Sequence, residues 1–298
     1  MKKLKFIKCI CPNTRFDVVL APYTTFKIGG KAWAFCDVAD LEELKKLVSY
    51  LNHEQIPYFV LGNGSNILVN DSGFKGVVIR LKGEFERLSN ENTLIMAGAG
   101  VPISRLLSCC VKNGFSGLEF LAGIPGTVGG AVFMNAGAFG GEVSDRVEKV
   151  KLVSPSGGVL LKEKQELRFS YRKMHLSNCS IITHVWFRMD VDSREKVRER
   201  ISFYLKRKMK TQPINHYSAG CIFKNPAGDY AGSLIEKAGL KGKSIGDAMI
   251  SELHANFIIN KGNSTASDVM ALIKMVRDKV ETKYGIRLNP EIKFVGFD

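Results

Sequence analysis

The sequence lacks the patterns that identify several common classes of protein. No window approaches the roughly 18 to 20 consecutive apolar residues that a membrane-spanning helix needs, so we expect no association with a membrane. There is no Cys-x-x-Cys pair, and no two of the five histidines stand four residues apart, which argues against a structural metal. Helix-turn-helix, zinc-finger and aromatic RNA-binding signatures are also missing.

The common nucleotide-binding loops are missing as well. A dinucleotide fingerprint that begins at Gly62-x-Gly64 would need a third glycine where the chain has Ile67. The Gly242–Ser244 segment resembles the end of a Walker A loop, but Lys237 stands where that loop needs its first glycine. A Rossmann domain and a P-loop are therefore not expected.

The seven cysteines, which include Cys179, are an odd number, and Cys109 and Cys110 are adjacent, so a disulfide framework is not expected. Reduced thiols suit a reducing compartment. The apolar run near the first residue is broken by Lys5 and Lys8, which leaves no signal-peptide core. We expect this segment to be retained and the protein to be cytoplasmic.

A net charge of +14 suggests a nucleic-acid ligand, because clustered Lys and Arg displace counterions from phosphates. The basic residues crowd into the first eight positions and into Arg194–Lys210. A solvated helix face is the favoured interpretation of such a run, and an anionic small molecule is the next. We expect no nucleic-acid partner.

The apolar periodicity predicts an α+β protein. An Asp40/Glu43 pair caps a helix through Leu51, and Thr265 with Asp268 caps another that ends at Gly285. Further helices are predicted from Pro102 to Gly114, from Ser193 to about Lys210, and over Ala231–Ala238; strands are predicted at 58–61, 67–69, 77–81, 147–155, 159–162 and 180–189. We expect three parts, 1–81, 82–211 and 212–298, with the last strand returning to the first part.

Two glycine-rich loops are the strongest chemical signal. Residues Gly62 to Asn66 lack bulky side chains, and a second loop carries seven glycines between Gly123 and Gly141. Glycine lets the main chain approach a flat or charged ligand where a Cβ would collide. Structural turns with close packing are the alternative interpretation.

A further candidate is Cys221 in the stretch SAGCIFKNP, which predicts a thiol in a small-residue turn. A cysteine in such a place is more often a small buried apolar residue than a catalyst. Seven blocks give it weight: TTFKIGG, LGNGSNIL, GIPGTVGGAVFMNAGAFGGE, FSYRKM, SAGCIFKNP, AGSLIEKAGLKGKSIGDA and LNPEIKFVG. In this order, from about Thr24 to Gly296, they resemble the UDP-N-acetylenolpyruvoylglucosamine reductase family, in its shorter form.

The resemblance implies a fold and a cofactor. The fold is α+β, with two FAD-binding subdomains of the vanillyl-alcohol-oxidase type and a C-terminal substrate domain. FAD would be bound non-covalently, since the two loops carry no histidine. The residues implied to bind it are Gly62, Asn63, Gly64, Ser65, Asn66, Ile124, Gly126, Thr127, Gly130, Asn135 and Gly137.

The resemblance also implies a reaction in peptidoglycan precursor synthesis. NADPH would reduce the flavin, and a hydride would then reach the vinyl carbon of a UDP-linked enolpyruvyl sugar. Arg172 would bind the substrate carboxylate, Cys221 would donate a proton where many members have serine, and Glu291 would stabilise the intermediate. Lys224 and Asn225 would contact the substrate, and a monomer is expected.

Two rival interpretations remain at this point. An FAD oxidase or dehydrogenase of the same superfamily would share the glycine loops and act on another substrate. A nucleic-acid-binding protein would share only the charge.

Overall fold

The computed structural model describes residues 2–176 and 180–297, so Cys179 lies outside the described part. The chain divides into two compact units. One comprises Met1–Asp17, Trp33–Asn63 and Gly76–Lys206, and the other comprises Val18–Ala32, Gly64–Lys75 and Arg207–Asp298. The division into three parts stays a prediction.

The helices of the described residues are α1 (Lys2–Ile10), α2 (Leu41–His53), α3 (Ile103–Asn113), α4 (Val128–Phe133), α5 (Arg194–Thr211), α6 (Ala231–Lys237) and α7 (Ala266–Tyr284). The strands are β1 (Thr14–Val19), β2 (Lys31–Val38), β3 (Tyr58–Val60), β4 (Ile67–Val69), β5 (Phe74–Leu81), β6 (Leu88–Glu91), β7 (Leu94–Gly98), β8 (Phe115–Ser116), β9 (Gly137–Ala138), β10 (Gly141–Glu142), β11 (Val147–Val153), β12 (Val159–Glu163), β13 (Phe169–Ser170), β14 (Lys173–Met174), β15 (Ile181–Arg188), β16 (Asp190–Val191), β17 (Tyr217–Cys221), β18 (Ser244–Ile245), β19 (Ala248–Ile250), β20 (Phe257–Asn260) and β21 (Lys293–Val295). No helix of this part of the chain is both long and apolar enough to cross a bilayer.

The first unit contains two larger sheets. One has the strand order β1-β2-β5-β3, and the other has the order β12-β11-β15-β7-β6. Helix α2 begins where Asp40 accepts a hydrogen bond from the Glu43 N–H, and it buries Leu44, Leu47 and other apolar residues of one face. The predicted α2 is confirmed, and α3 ends at the predicted Gly114, whose φ of 67° is left-handed.

The second unit is built on a four-stranded sheet of order β17-β20-β19-β18 with α6 and α7. The predicted capping box of α7 is confirmed: the Thr265 hydroxyl accepts from the Asp268 N–H, and the Asp268 carboxylate accepts from the Thr265 N–H. Strand β21 pairs in parallel with β4, with Lys293 opposite Ile67. The chain segments around residues 67 and 293 are therefore neighbours in this unit.

Two local features differ from what the sequence pattern predicts. Residues 2–10 form a helix that turns Ile7 into the core, and the sequence pattern did not predict this helix. The stretch that ends at Cys221 is a strand rather than a turn. A bulge after Ser218 and a left-handed Gly220, with φ of 75°, disturb its pairing with β20.

His184 lies in the middle strand of the five-stranded sheet. Within the described residues its Nδ1 is buried without a hydrogen-bond partner. The centre of its imidazole ring lies 5.9 Å from the centre of the Phe85 ring. Burial, with smaller contributions from the charges of Lys151 and Arg87, lowers the pKa of His184 from 6.5 to about 4. The folded protein therefore holds this ring neutral at pH 5, whereas the unfolded chain protonates it.

Because the folded pKa lies below the unfolded one, stability from this group is complete above about pH 6.5 and falls as the pH drops toward about 4. We expect His184→Gln to lose less unfolding free energy than the wild type between pH 7 and pH 4.5, measured by urea unfolding followed by circular dichroism. The exposed His216 provides the control: His216→Gln should keep the wild-type slope. Parallel slopes for His184→Gln and the wild type would contradict the prediction.

Candidate functional site

The two glycine-rich loops meet inside the first unit. Strand β3 ends at Val60, and the next residue, Leu61, still donates its N–H to the Ile79 carbonyl at 2.8 Å. The chain then turns so that a Cβ added to Gly62 would lie 2.7 Å from Thr127 Oγ1. The Asn63 side-chain amide donates to the Pro125 carbonyl at 2.7 Å. These contacts bring together two of the predicted cofactor segments.

The second loop is held by its main chain. The Gly126 carbonyl accepts from the Ile103 N–H at 3.0 Å, and the Gly129 N–H donates to the Ala99 carbonyl at 2.9 Å. Thr127 caps the N-terminus of α4, where its hydroxyl accepts the Gly130 N–H at 3.4 Å. Because the glycines carry no side chain where the two loops approach, their backbone atoms are accessible to a flat, charged group.

Arg172 reaches the far end of the same loop. It lies in the turn between β13 and β14, with a left-handed φ of 57°. Its Nη2 donates to the Gly137 carbonyl at 2.9 Å, and its guanidinium carbon lies 4.8 Å from the centre of the Tyr171 ring. A Cβ on Gly137 would lie only 3.0 Å from Nη1 of this arginine. The structure therefore places the predicted carboxylate-binding cation against the predicted cofactor loop.

Asn135 belongs to the same loop but is almost fully buried, with 1% of its surface exposed. Its amide nitrogen donates to Glu142 Oε2 at 2.8 Å and to the Ser170 carbonyl at 3.2 Å. The sequence pattern did not single out Glu142 or Ser170, although each lies inside one of the seven blocks. Contacts between residues 35 apart in the chain leave no signal in a local pattern.

In the second unit, Cys221 and Glu291 belong to neighbouring segments. Cys221 ends β17 opposite Phe257 and is half-buried. The carbonyl of the next residue, Ile222, accepts the Glu291 N–H at 2.7 Å. The predicted proton donor and the predicted glutamate are thus fixed to each other by main-chain geometry.

Asn66 and Gly64 join this group from the first glycine loop. The Asn66 amide donates to the Glu291 carbonyl at 3.4 Å, and the Asn66 carbonyl accepts the Lys293 N–H at 2.9 Å. The Gly64 carbonyl accepts the Thr25 N–H at 3.1 Å, and a Cβ on Gly64 would collide with the Tyr23 carbonyl. Ser65 lies between these two anchored residues and is half-buried.

Thr25 is a residue of this region that the sequence did not mark as functional. Its hydroxyl donates to the Ser218 carbonyl at 2.7 Å, so it ties the first glycine loop to the strand that carries Cys221. The TTFKIGG block contained it, but nothing in that block distinguishes a threonine that joins two segments from one that faces solvent.

Lys224 and Asn225 follow Cys221 at the start of the next loop. The Lys224 N–H donates to the Asn289 carbonyl at 2.9 Å, which keeps this loop beside the segment of Glu291. The Asn225 side-chain oxygen accepts the Ala231 N–H at 3.1 Å, at the first residue of α6. Asn225 therefore has a structural partner, and its contact with substrate stays a prediction.

The predicted site residues are divided between the units. The first unit holds Gly62, Asn63, Ile124, Gly126, Thr127, Gly130, Asn135, Gly137 and Arg172. The second holds Gly64, Ser65, Asn66, Cys221, Lys224, Asn225 and Glu291. Each unit brings its own set together, and the joint action of the two sets stays a prediction.

Two family models match the chain. Residues 33–161 match an FAD binding domain, and residues 212–295 match the C-terminal domain of UDP-N-acetylenolpyruvoylglucosamine reductase. The UDP-N-acetylenolpyruvoylglucosamine reductase of Caldanaerobacter subterraneus subsp. tengcongensis is 43% identical over 275 residues, which cover 92% of this chain and 91% of that protein. The enzyme of the same name from Syntrophus aciditrophicus is 41% identical over 295 residues, which cover 97% and 94%.

Solved structures give the same result. The crystal structure of UDP-N-acetylenolpyruvylglucosamine reductase from Thermus caldophilus matches with a TM-score of 0.83 and 41% identity, over 95% of this chain and 99% of that one. Phl p 4.0202, a glucose dehydrogenase, matches with a TM-score of 0.52 and 12% identity, over 64% of this chain and 44% of that one. The second likeness concerns the fold alone.

The contact between the two loops of the first unit can be tested by adding one carbon atom. Gly62→Ala places its Cβ 2.7 Å from Thr127 Oγ1, so either this hydroxyl gives up its hydrogen bond with the Gly130 N–H or the loops separate, and we expect the unfolding free energy to fall by about 1–3 kcal/mol. Gly130→Ala is the matched control, because its Cβ would lie 3.5 Å from the same oxygen and alanine favours the helix. Urea unfolding followed by circular dichroism measures both. Equal destabilisation of the two variants would refute this account of the loop contact.

Proposed function

Because the chain belongs to the UDP-N-acetylenolpyruvoylglucosamine reductase family, we propose that it reduces the enolpyruvyl ether of a UDP-linked N-acetylglucosamine to the lactyl ether. FAD is its cofactor and NADPH is the source of electrons. The observation that carries this proposal is the 43% identity to a reductase of that name over 92% of the chain. The product is a precursor of peptidoglycan.

The glycine loops are the proposed FAD site. In the first unit, the main chain of Gly62, Gly126 and Gly130 and the side chains of Asn63 and Thr127 would hold it, because a Cβ at Gly62 would close the approach between the loops. Ile124 is half-buried against the core and would offer an apolar contact. The chemistry that bound FAD would supply there is the transfer of a hydride from NADPH to the olefin of the sugar.

Arg172 is the proposed carboxylate ligand. Addition of a hydride to the terminal vinyl carbon leaves negative charge that spreads toward the substrate carboxylate. A planar guanidinium can bind that carboxylate through two N–H groups, and its attraction grows as the charge develops. The hydrogen bond from Arg172 to the Gly137 carbonyl fixes the direction in which the guanidinium points.

Cys221 is the proposed acid. Its Sγ would give a proton to the substrate carbon that bears the carboxylate, which completes the reduction. The free-cysteine pKa of about 8.5 lets a thiol keep its proton at pH 7 while remaining a stronger acid than an alcohol. A serine can do the same work more weakly, so the cysteine preserves the role.

Glu291 is proposed to steady the intermediate beside this thiol. Its main-chain N–H donates a hydrogen bond to the Ile222 carbonyl, and its carbonyl accepts one from the Asn66 side chain. A shift of the Cys221 strand would therefore move Glu291 with it. Lys224, three residues beyond Cys221, is proposed to meet the diphosphate or the carboxylate of the substrate.

The charge of the chain fits anionic reactants. UDP, NADPH and the enolpyruvyl carboxylate are all negatively charged, and a net charge of +14 would raise their rate of encounter. We further propose that the protein acts as a monomer in the cytoplasm, where these reactants are found.

Substitutions of Cys221 test the proposed chemistry. Under anaerobic conditions, the yellow protein should lose its flavin absorbance on addition of NADPH and regain it on addition of the enolpyruvyl sugar. Cys221→Ser should keep measurable reoxidation, whereas Cys221→Ala should slow it by about 10²- to 10⁴-fold because the acid is lost. Stopped-flow absorbance at the flavin band measures both half-reactions.

The exposed Cys9 supplies the control for this experiment, since Cys9→Ala removes a thiol from α1 and should match the wild type. Equal reoxidation rates in Cys221→Ala and Cys221→Ser would remove Cys221 as the acid. A protein that NADPH bleaches but that the enolpyruvyl sugar does not reoxidise would instead be a flavin oxidase or dehydrogenase with another substrate.

A further inference from the structure

Asn135 occupies a backbone position that usually belongs to glycine. It follows α4 with a left-handed φ of 42°. Its N–H donates to the Val132 carbonyl at 3.0 Å, and the Ala136 N–H donates to the Ala131 carbonyl at 2.8 Å. These are the two hydrogen bonds of a Schellman motif at a helix end, where glycine is the most frequent residue. The side chain must therefore explain why an asparagine stands there.

Both N–H donors and the oxygen of the Asn135 side chain form hydrogen bonds within the protein. An amide has two N–H donors, and Nδ2 uses them on Glu142 Oε2 at 2.8 Å and on the Ser170 carbonyl at 3.2 Å. The amide oxygen accepts the Ser144 N–H at 3.1 Å. A direct hydrogen bond from this amide nitrogen to a cofactor would require one of these buried bonds to break.

Two partners of Asn135, Ser170 and Glu142, belong to the two segments that hold Arg172, which we call its supports. Ser170 ends β13, two residues before Arg172 in the same hairpin. Glu142 lies in β10 opposite Gly137 of β9, and the Gly137 carbonyl receives the Arg172 guanidinium at 2.9 Å. Asn135 thus ties the main chain that carries the arginine to the strand pair that receives its side chain.

The space around these supports allows little movement. A Cβ on Gly137 would lie 2.7 Å from the Gly141 carbonyl oxygen, 3.0 Å from Arg172 Nη1 and 3.0 Å from Glu142 Cγ. The Glu142 carboxylate is itself fixed, because Glu142 and Asp145 form a reciprocal capping box. A shift of a few tenths of an ångström in either support would therefore be passed to the guanidinium.

We propose that Asn135 is a positioning residue for Arg172, and that it acts through Ser170 and Glu142 rather than by touching FAD. This inference rests on the proposed function, which gives Arg172 the substrate carboxylate. It places Asn135 in the half-reaction with the sugar and outside the half-reaction with NADPH.

Three substitutions separate these roles. Asn135→Gly keeps a residue that accepts the left-handed backbone and removes only the side-chain hydrogen bonds of Asn135. Asn135→Asp replaces the amide donors with a carboxylate that faces Glu142, and the double variant Asn135→Asp/Glu142→Gln restores a donor to this contact. Asn92→Gly is the matched control, since Asn92 is an exposed asparagine with a left-handed φ of 49° in the β6–β7 turn.

The experiment measures each half-reaction by anaerobic stopped flow and FAD affinity by titration of the cofactor into apoprotein. For Asn135→Gly we expect reoxidation by the enolpyruvyl sugar to slow about 10- to 100-fold, because small displacements of a positioning group cost that much. Reduction by NADPH and FAD affinity should stay within about twofold of the wild type, as expected for a group outside the cofactor contact. Asn92→Gly should match the wild type.

Two further results would support the inference. Glu142→Gln should recover part of the reoxidation rate that Asn135→Asp loses. Combined with Arg172→Lys, Asn135→Gly should add little further loss, because both substitutions remove the same interaction with the carboxylate.

Three results would overturn the inference alone. The first is weaker FAD binding by Asn135→Gly with normal reoxidation of the loaded enzyme, which would make Asn135 a cofactor ligand. The second is an equal loss of rate in both half-reactions of Asn135→Gly together with a lower melting temperature. The third is a rate of reoxidation in Asn135→Gly that equals the rate of an active wild type. A wild type that the sugar cannot reoxidise would overturn the proposed function and this inference together.

Discussion

Close approach of the glycine main chain to neighbouring atoms is the constraint on which the rest of this molecule depends. At Gly62, Gly64 and Gly137 a single added carbon would meet a neighbouring atom at or below 2.7 Å. At these three positions the chain can therefore pack only against a backbone carbonyl or, at Gly62, the Thr127 hydroxyl. The same condition that excludes side chains leaves N–H and C=O groups available to a flat, charged cofactor. Packing and binding are two results of one sequence requirement.

The side chains that we propose to act on the substrate are held by this backbone in different ways. Arg172 is held through its own guanidinium by the Gly137 carbonyl, so its position follows a glycine loop directly. Cys221 and Glu291 are held instead by hydrogen bonds of the main chain next to them. Because these hydrogen bonds come from the main chain, they would persist if the side chain at either position were exchanged.

Many of the helix ends can be predicted from local sequence patterns. Capping residues such as Asp40, Thr265 and Gly114 act within one turn of a helix, so their pattern is visible locally and the predicted helix ends are confirmed. Helix α1 was missed because charged residues on its exposed face interrupt the apolar run that packs inward. The partners of Asn135 were missed for a different reason. They come from separate hairpins, and only the folded chain brings them together.

The parallel pairing of β21 with β4 has a consequence for synthesis of the chain. The Asn66 side chain donates a hydrogen bond to the carbonyl of Glu291, a residue 225 positions later. The strand that follows Asn66, β4, pairs with β21, which begins at Lys293. The ribosome therefore adds a further 225 residues after Asn66 before this part of the first glycine loop acquires these partners. Late pairing of distant segments is slow and leaves a strand edge exposed in the meantime. The second unit therefore cannot close before the segment around residue 293 has been made, and β4 lacks this partner strand until then.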